Sequence, residues 1–164
     1  MNPHGITLDK IIPLSLERVK AASSVVDEID RELFPFFEEE ARSELKAIED
    51  VLHIWDVDPS RDSLKELGRQ FHTLKGAANS IGYIRVGALA GGIKDLLEQI
   101  TPAQVQALRP QIIKTNILVV ETIRALLQEA KAPEYNQVKK EQIVMAVQSI
   151  LRLQEMQTNL PKAA

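Results

Sequence analysis

The chain has 164 residues, 45% of them apolar, enough for one domain with a real core and appended helices. It has no cysteine, which excludes disulfides, a thiol nucleophile and a cysteine-based metal site. A net charge of −3 argues against a general nucleic-acid binder, and the lack of a long apolar run or a signal peptide argues against a membrane span and for a cytoplasmic protein.

The predicted elements are all helices. A weak first segment covers about residues 6–25, with Pro13 near its start. Asp30 can cap the next helix, about 31–55, whose buried face is Phe34, Phe37, Ala41, Leu45, Ile48, Leu52 and Trp55. Pro35 lies in its first turns, where proline is tolerated or forces a short offset piece. A turn follows at Asp56-Val57-Asp58-Pro59-Ser60, and Ser60 or Asp62 starts a third helix that Gly82 should stop. A fourth helix runs over about 84–100, with Val86, Leu89, Ala90, Ile93, Leu96, Leu97 and Ile100 on one face. Thr101-Pro102 reads as a helix start, Pro110 as an interruption, and a helix follows to about Ala130. A last helix spans about 137–157.

No strand alternation and no fixed-period repeat is present. Short loops between amphipathic helices predict an all-α fold, an antiparallel four-helix bundle over about 30–131. Residues 1–29 form a partly helical extension and 132–164 a second one with one helix. Their apolar faces call for a partner, which could be the same bundle, another domain or a second copy.

The third helix carries the most informative segment. Leu64, Leu67, Phe71, Leu74, Ala78 and Ile81 recur at spacings of three and four and mark its buried stripe. His72 lies about 100° around from Phe71, off that stripe. Its axial neighbours are Gly68 and Arg69 on one side and Lys75 and Gly76 on the other. Each mid-helix glycine costs roughly 1 kcal/mol relative to alanine, so two flanking one histidine need a reason. The simplest is access, with no Cβ above or below the imidazole. Arg69 and Lys75 then supply positive charge for the oxygens of a phosphoryl group, and Asn79 a further amide donor. The setting is basic. Residues 61–94 hold six Lys/Arg against two acids, a local +4 that leaves −7 for the remainder. His4, near the terminus, and His53, beside Leu52 and Ile54, have no such surroundings and read as structurally unremarkable.

The string Phe71-His72-Thr73-Leu74-Lys75-Gly76-Ala77-Ala78 resembles the signature of histidine-containing phosphotransfer (HPt) domains, and the likeness covers about residues 30–130. The opening Leu33-Phe34-Pro35-Phe36-Phe37-Glu38-Glu39-Glu40-Ala41 looks closest to HPt domains of chemotaxis-type kinases. The resemblance implies a four-helix bundle that relays a phosphoryl group between receiver-domain aspartates or accepts one from a kinase. It makes His72 the phosphoacceptor, Lys75 the lysine near the phosphoryl group and Gly76 the small residue that opens access. Chemotaxis-type kinases commonly have a His-x-x-Glu pair in the fourth helix, where this chain has Gly91 and Lys94. That departure favours relay over direct ATP-dependent phosphorylation, or a kinase with altered site chemistry. Lys94 could disfavour imidazolium or add a phosphate contact.

The implied partners are a response-regulator receiver domain, a histidine kinase, or both, with neither nucleic acid nor membrane. No cofactor is expected on this chain; Mg²⁺ should come from the receiver's acidic pocket. The sequence has no phosphate-binding loop of the ATPase or kinase kind, so it is expected to be a phosphocarrier with no activity alone. The binding surface should surround His72, with Lys65, Arg69, Lys75 and Arg85 supplying charge, Gly68 and Asn79 beside them, and Tyr83, Phe36 and Ala77 supplying apolar contact. The acidic run Glu38-Glu39-Glu40 reads as a solvated helix face. The alternatives are a helical interaction or scaffold domain that keeps this fold without the chemistry, and the substrate domain of a chemotaxis-type kinase.

Overall fold

The computed structural model describes residues 14–57 and 61–163. Six α-helices account for most of them: α1 (Leu14–Ala21), α2 (Phe34–Val57), α3 (Arg61–Ser80), α4 (Ile84–Gln99), α5 (Val105–Lys131) and α6 (Lys140–Asn159). Of the expected first segment, the described part is helical over Leu14–Ala21 and continues into a 3₁₀ turn at Ala22–Ser24. His4, Pro13 and the turn residues Asp58, Pro59 and Ser60 lie outside the described residues.

Local chemistry sets the ends of α2 and α3. The Asp30 carboxylate accepts from the Glu32 and Leu33 N–H groups at 3.0 and 3.2 Å, and α2 starts directly after them with Pro35 in its first turn. Gly82 stops α3 at φ +80°, and a Cβ there would lie 2.3 Å from the Glu28 carbonyl oxygen. Only glycine fits that corner on both counts.

Pro110 does not interrupt the fifth helix, contrary to the expectation. α5 runs from Val105 through Pro110 to Lys131. The proline removes the N–H that would have bonded the Gln106 carbonyl. Gln106 and Pro110 are both exposed, so water can take that carbonyl, while Leu108 and Ile112 anchor the helix in the core on either side.

The terminal helices find their partner in the same bundle. Val19 and Ala22 from the N-terminal segment and Ile143, Ala146, Val147, Ile150 and Leu153 of α6 are buried in one core with α2–α5. α4 is the central element, and every residue from Val86 to Ile93 is buried. Three of those residues are glycines at points of close approach. A Cβ on Gly92 would lie 2.0 Å from Val19 Cγ2, on Gly87 2.0 Å from Asn79 Oδ1, and on Gly91 3.1 Å from Lys75 Cδ.

Polar pairs inside the bundle fix α6. Gln104 is 1% exposed and donates to the Gln157 and Leu160 carbonyls at 3.0 and 3.2 Å. Gln157 returns a bond to the Gln99 carbonyl at 3.2 Å. The Thr115 and Ser149 hydroxyls meet at 2.8 Å between α5 and α6. Each pair satisfies groups that would be costly to bury alone.

Tyr83 and Arg85 belong to this framework and not to a binding surface, which corrects two expectations. Tyr83 is fully buried, its ring 6.0 Å from that of Phe37 and its hydroxyl donating to the Leu126 carbonyl. Burial pushes its phenol pKa well up. Arg85 reaches Asp27 at 2.5 Å on one side and Glu129 on the other, tying the segment before α2 to α4 and α5. Burial alone would lower the guanidinium pKa; the bonds to Asp27 and Glu129 outweigh it and hold it raised.

The Asp27 side chain is only 3% exposed, so removing the guanidinium leaves a buried carboxylate with the Arg85 backbone N–H but no counter-charge from Arg85. Arg85→Met should lower the unfolding free energy by about 3 kcal/mol in urea titration. The protein that remains folded should keep whatever chemistry His72 performs.

Candidate functional site

His72 is exposed in the middle of α3, between a flank facing α2 and a flank facing α4. The buried stripe Leu64, Leu67, Phe71, Leu74 and Ala78 holds the helix against the core and leaves the imidazole outward. Because helical side chains lean toward the N-terminus, the ring leans back over the turn of Gly68.

The two flanking glycines have different surroundings. Gly76 is exposed, and a Cβ there would meet no other group within 4 Å. Gly68 is buried, with Glu98 Cγ of α4 at 4.0 Å from its Cβ position. The shared role expected of them therefore splits. Gly76 leaves open space beside His72, whereas Gly68 lies under the edge of α4.

The flanking cations also differ. Arg69 is held by Glu66 of its own helix, its Nε and Nη2 donating to the two carboxylate oxygens at 3.1 and 2.6 Å. The hydrogen bonds from Arg69 and then Gln70 hold the Glu66 carboxyl below its usual range. Arg69 was expected to face a phosphoryl group, and here its charge is already matched. Lys75 makes no ion pair among the described residues. Its stem lies across Gly91, with Cδ 3.1 Å and Cε 3.4 Å from the Cβ position there. Lys65 is exposed on the same face, one turn before Arg69. Lys94 is bound on its own helix by Asp95 at 3.1 Å and Glu98 at 3.3 Å. Desolvation would lower its pKa, and these two carboxylates outweigh that and keep it raised.

The α4 flank is a cleft of about 490 Å³ lined by Lys75 and Asn79, by Gly87, Gly91 and Asp95 of α4, and by Arg18 of α1. Asn79, expected beside His72, is exposed and has its amide oxygen over Gly87. The α2 flank is apolar and acidic. Phe36 is 72% exposed and Leu33 46%, beside Thr73, Ala77 and Ser80 of α3. Glu40 and Glu44 adjoin them along α2. His53 is exposed near the far end of α2. Glu38 pairs with Arg42 and Lys131, each at 3.5 Å.

Two contributors escaped the sequence reading. Arg18 lies on a helix judged weak, and no spacing rule joins it to His72. Glu44 has a buried carboxylate oxygen with no hydrogen-bond partner. Burial, then the Glu40 charge, raises its pKa, Arg69 opposes, and Glu66 adds to the rise.

Among the described residues no three His, Cys, Asp or Glu side chains gather as a metal site, and no helix is long and apolar enough to cross a membrane. A family model described as "Hpt domain" matches residues 32–133. No curated protein and no solved structure matches the chain.

Glu44 makes stability depend on pH in a stated direction. Its folded-state pKa is above the ordinary 4.5, so the folded protein holds that proton more readily than the unfolded chain. The ionised form therefore weighs against folding above the usual carboxylate range. Glu44→Gln should raise the thermal midpoint at pH 7, and the gain should vanish as pH falls below the ordinary Glu value. Thermal melts of both proteins across that range read it directly.

Proposed function

The chain belongs to the histidine-containing phosphotransfer (Hpt) domain family, and we propose that His72 is its phosphoacceptor, exchanging phosphoryl groups with receiver-domain aspartates. Membership gives a histidine phosphotransfer role in a phosphorelay. The observation that carries the assignment to His72 is its exposure at the centre of α3 beside the open space at Gly76.

The step is an in-line displacement on phosphorus. The lone pair of neutral His72 Nε2 attacks the aspartyl phosphate of a receiver. The N–P bond forms as the P–O bond to the aspartate breaks, and the carboxylate leaves with its electron pair. The proton on Nδ1 stays in place. The reverse step on a second receiver delivers the phosphoryl group onward. Lys75 is the cation assigned to the phosphoryl oxygens, since Arg69 and Lys94 are already engaged by carboxylates. Mg²⁺ is assigned to the receiver, whose acidic pocket supplies its ligands.

The same placement favours relay over direct phosphorylation from ATP. Lys94 is turned to Asp95 and Glu98, and its helix presents Gly91 where a chemotaxis-type kinase domain has histidine. Phe36 and Leu33 give the receiver an exposed apolar contact on the α2 flank.

Mixing the chain with phosphorylated receiver domains tests the assignment. Wild type should acquire acid-labile, base-stable label. His72→Gln should take up none, with a thermal midpoint nearly unchanged because the side chain is exposed. Label that persists in that variant would assign the chemistry to another residue. Uptake by neither protein would point to a scaffold that keeps the fold without the reaction.

Gly76→Gln separates access from packing. Glutamine is the better helix former by several tenths of a kcal/mol, so the variant should be no less stable. Its transfer rate should fall by at least roughly ten-fold, because the added side chain enters the space needed for close approach. Stopped-time labelling beside a urea titration gives both quantities, and a wild-type rate would remove the access argument.

A further inference from the structure

The cleft beside His72 is closed on one side by a residue from outside the family-matched segment. Arg18 of α1 lines it together with Lys75 and Asn79 of α3 and with Ile84, Gly87, Ala88 and Gly91 of α4. The Asn79 amide covers Gly87 and the Lys75 stem covers Gly91, so the cleft wall on α3 lies close against α4. Asp95 also lines the cleft, but Lys94 meets it at 3.1 Å. Neither Arg18 nor Lys75 has an ion-pair partner among the described residues. The cleft is therefore positive on balance.

The position of Arg18 is held by packing. Val19, its neighbour, is fully buried, and its Cγ2 occupies the space that a Cβ on Gly92 would need, 2.0 Å away. α1 thus sits in a notch that only glycine can provide. Arg18 itself is exposed at the cleft wall.

We propose that α1 is part of the docking surface for the phosphoryl-exchange partner, with Arg18 gripping an acidic side chain that enters this cleft while Lys75 serves the phosphoryl group. The inference rests on the reading of His72 as phosphoacceptor. Charge complementarity selects the occupant. A protein that presents an aspartyl phosphate with Mg²⁺ carries the carboxylates that hold the ion, so its rim is acidic. Such a rim set over His72 would meet the α4 flank at Arg18. A cleft of about 490 Å³ has room for an acidic side chain and the backbone that bears it. Arg18 would act on affinity and partner choice, and not on the phosphorus.

The experiment uses the intact chain and two donors. One is an acetyl-phosphate-charged receiver domain that labels the wild-type chain, titrated in single-turnover transfer. The other is phosphoramidate, a small donor that needs no docking. Arg18→Glu should raise the half-saturating receiver concentration about ten-fold, with the maximal rate within about two-fold of wild type. Labelling by phosphoramidate should be unchanged, and Arg18→Lys should restore most of the receiver affinity. A wild-type half-saturation in Arg18→Glu overturns the proposal. So does an equal slowing with both donors, which would put Arg18 at the phosphoryl group or in the fold. His72→Gln in parallel tests the premise separately. Label retained there, or a wild-type chain labelled by neither donor, rejects the phosphoacceptor reading itself.

Discussion

The glycine surface of α4 is the constraint on which the rest of this structure depends. Gly87, Gly91 and Gly92 occupy one central helix, at a propensity cost of roughly 1 kcal/mol each. What they permit is close approach from two directions. α1 seats Val19 against Gly92, and α3 lays Asn79 over Gly87 and Lys75 over Gly91. A side chain at Gly87 or Gly92 would collide outright, and one at Gly91 would force the Lys75 stem aside. The path of Lys75, the flanking cation with no ion-pair partner among the described residues, is thus set by the absence of an atom on the neighbouring helix.

The site's electrostatics follow from which charges are already matched. The segment around His72 is basic by composition, yet Arg69, Arg85 and Lys94 are each bound to carboxylates. The positive character next to His72 falls mainly to Lys75 and Lys65, joined across the cleft by Arg18. On the opposite flank Glu40 and Glu44 adjoin the exposed ring of Phe36, with Leu33 beside it. His72 therefore stands on a boundary between a cationic cleft and an apolar, acidic strip. A partner complementary to both can approach in one orientation only, because rotating it by half a turn sets its carboxylates against Glu40 and Glu44.

Helices α2, α3 and α4 were legible because their apolar residues recur with the helical period and their ends carry local signals, Asp30 and Gly82 among them. Pro110 misled because proline usually breaks a helix, and only tertiary exposure reveals that the carbonyl it frees is solvated. The exposure of His72 was legible because it falls off the apolar stripe of its own helix. Tyr83 and Arg85 were not, because each is satisfied by residues far along the chain, Leu126 for one and Asp27 with Glu129 for the other. Arg69 could have been read more closely. Glu66 stands three residues before it on the same helix, a spacing at which opposite charges meet. The glycines of α4 carried a signal too, since three in one short apolar helix demand an explanation from packing.

The terminal helices bear on the site through α4. In a plain four-helix arrangement the central helix would turn one side to solvent, and in α4 that side would include Gly92, backbone with nothing to cover it. Here α1 and α6 close over it, so that Val86 through Ile93 are buried without exception. Covering the helix has two consequences. It removes exposed helical backbone, whose hydrogen bonds water would otherwise contest, from the element that supports Lys75 and Asn79. It also makes α1 a wall of the cleft that adjoins His72. The match to residues 32–133 contains the histidine and its bundle. The rigidity of the α4 flank and one of its two cations come from Arg18 and Val19, which lie before that segment begins.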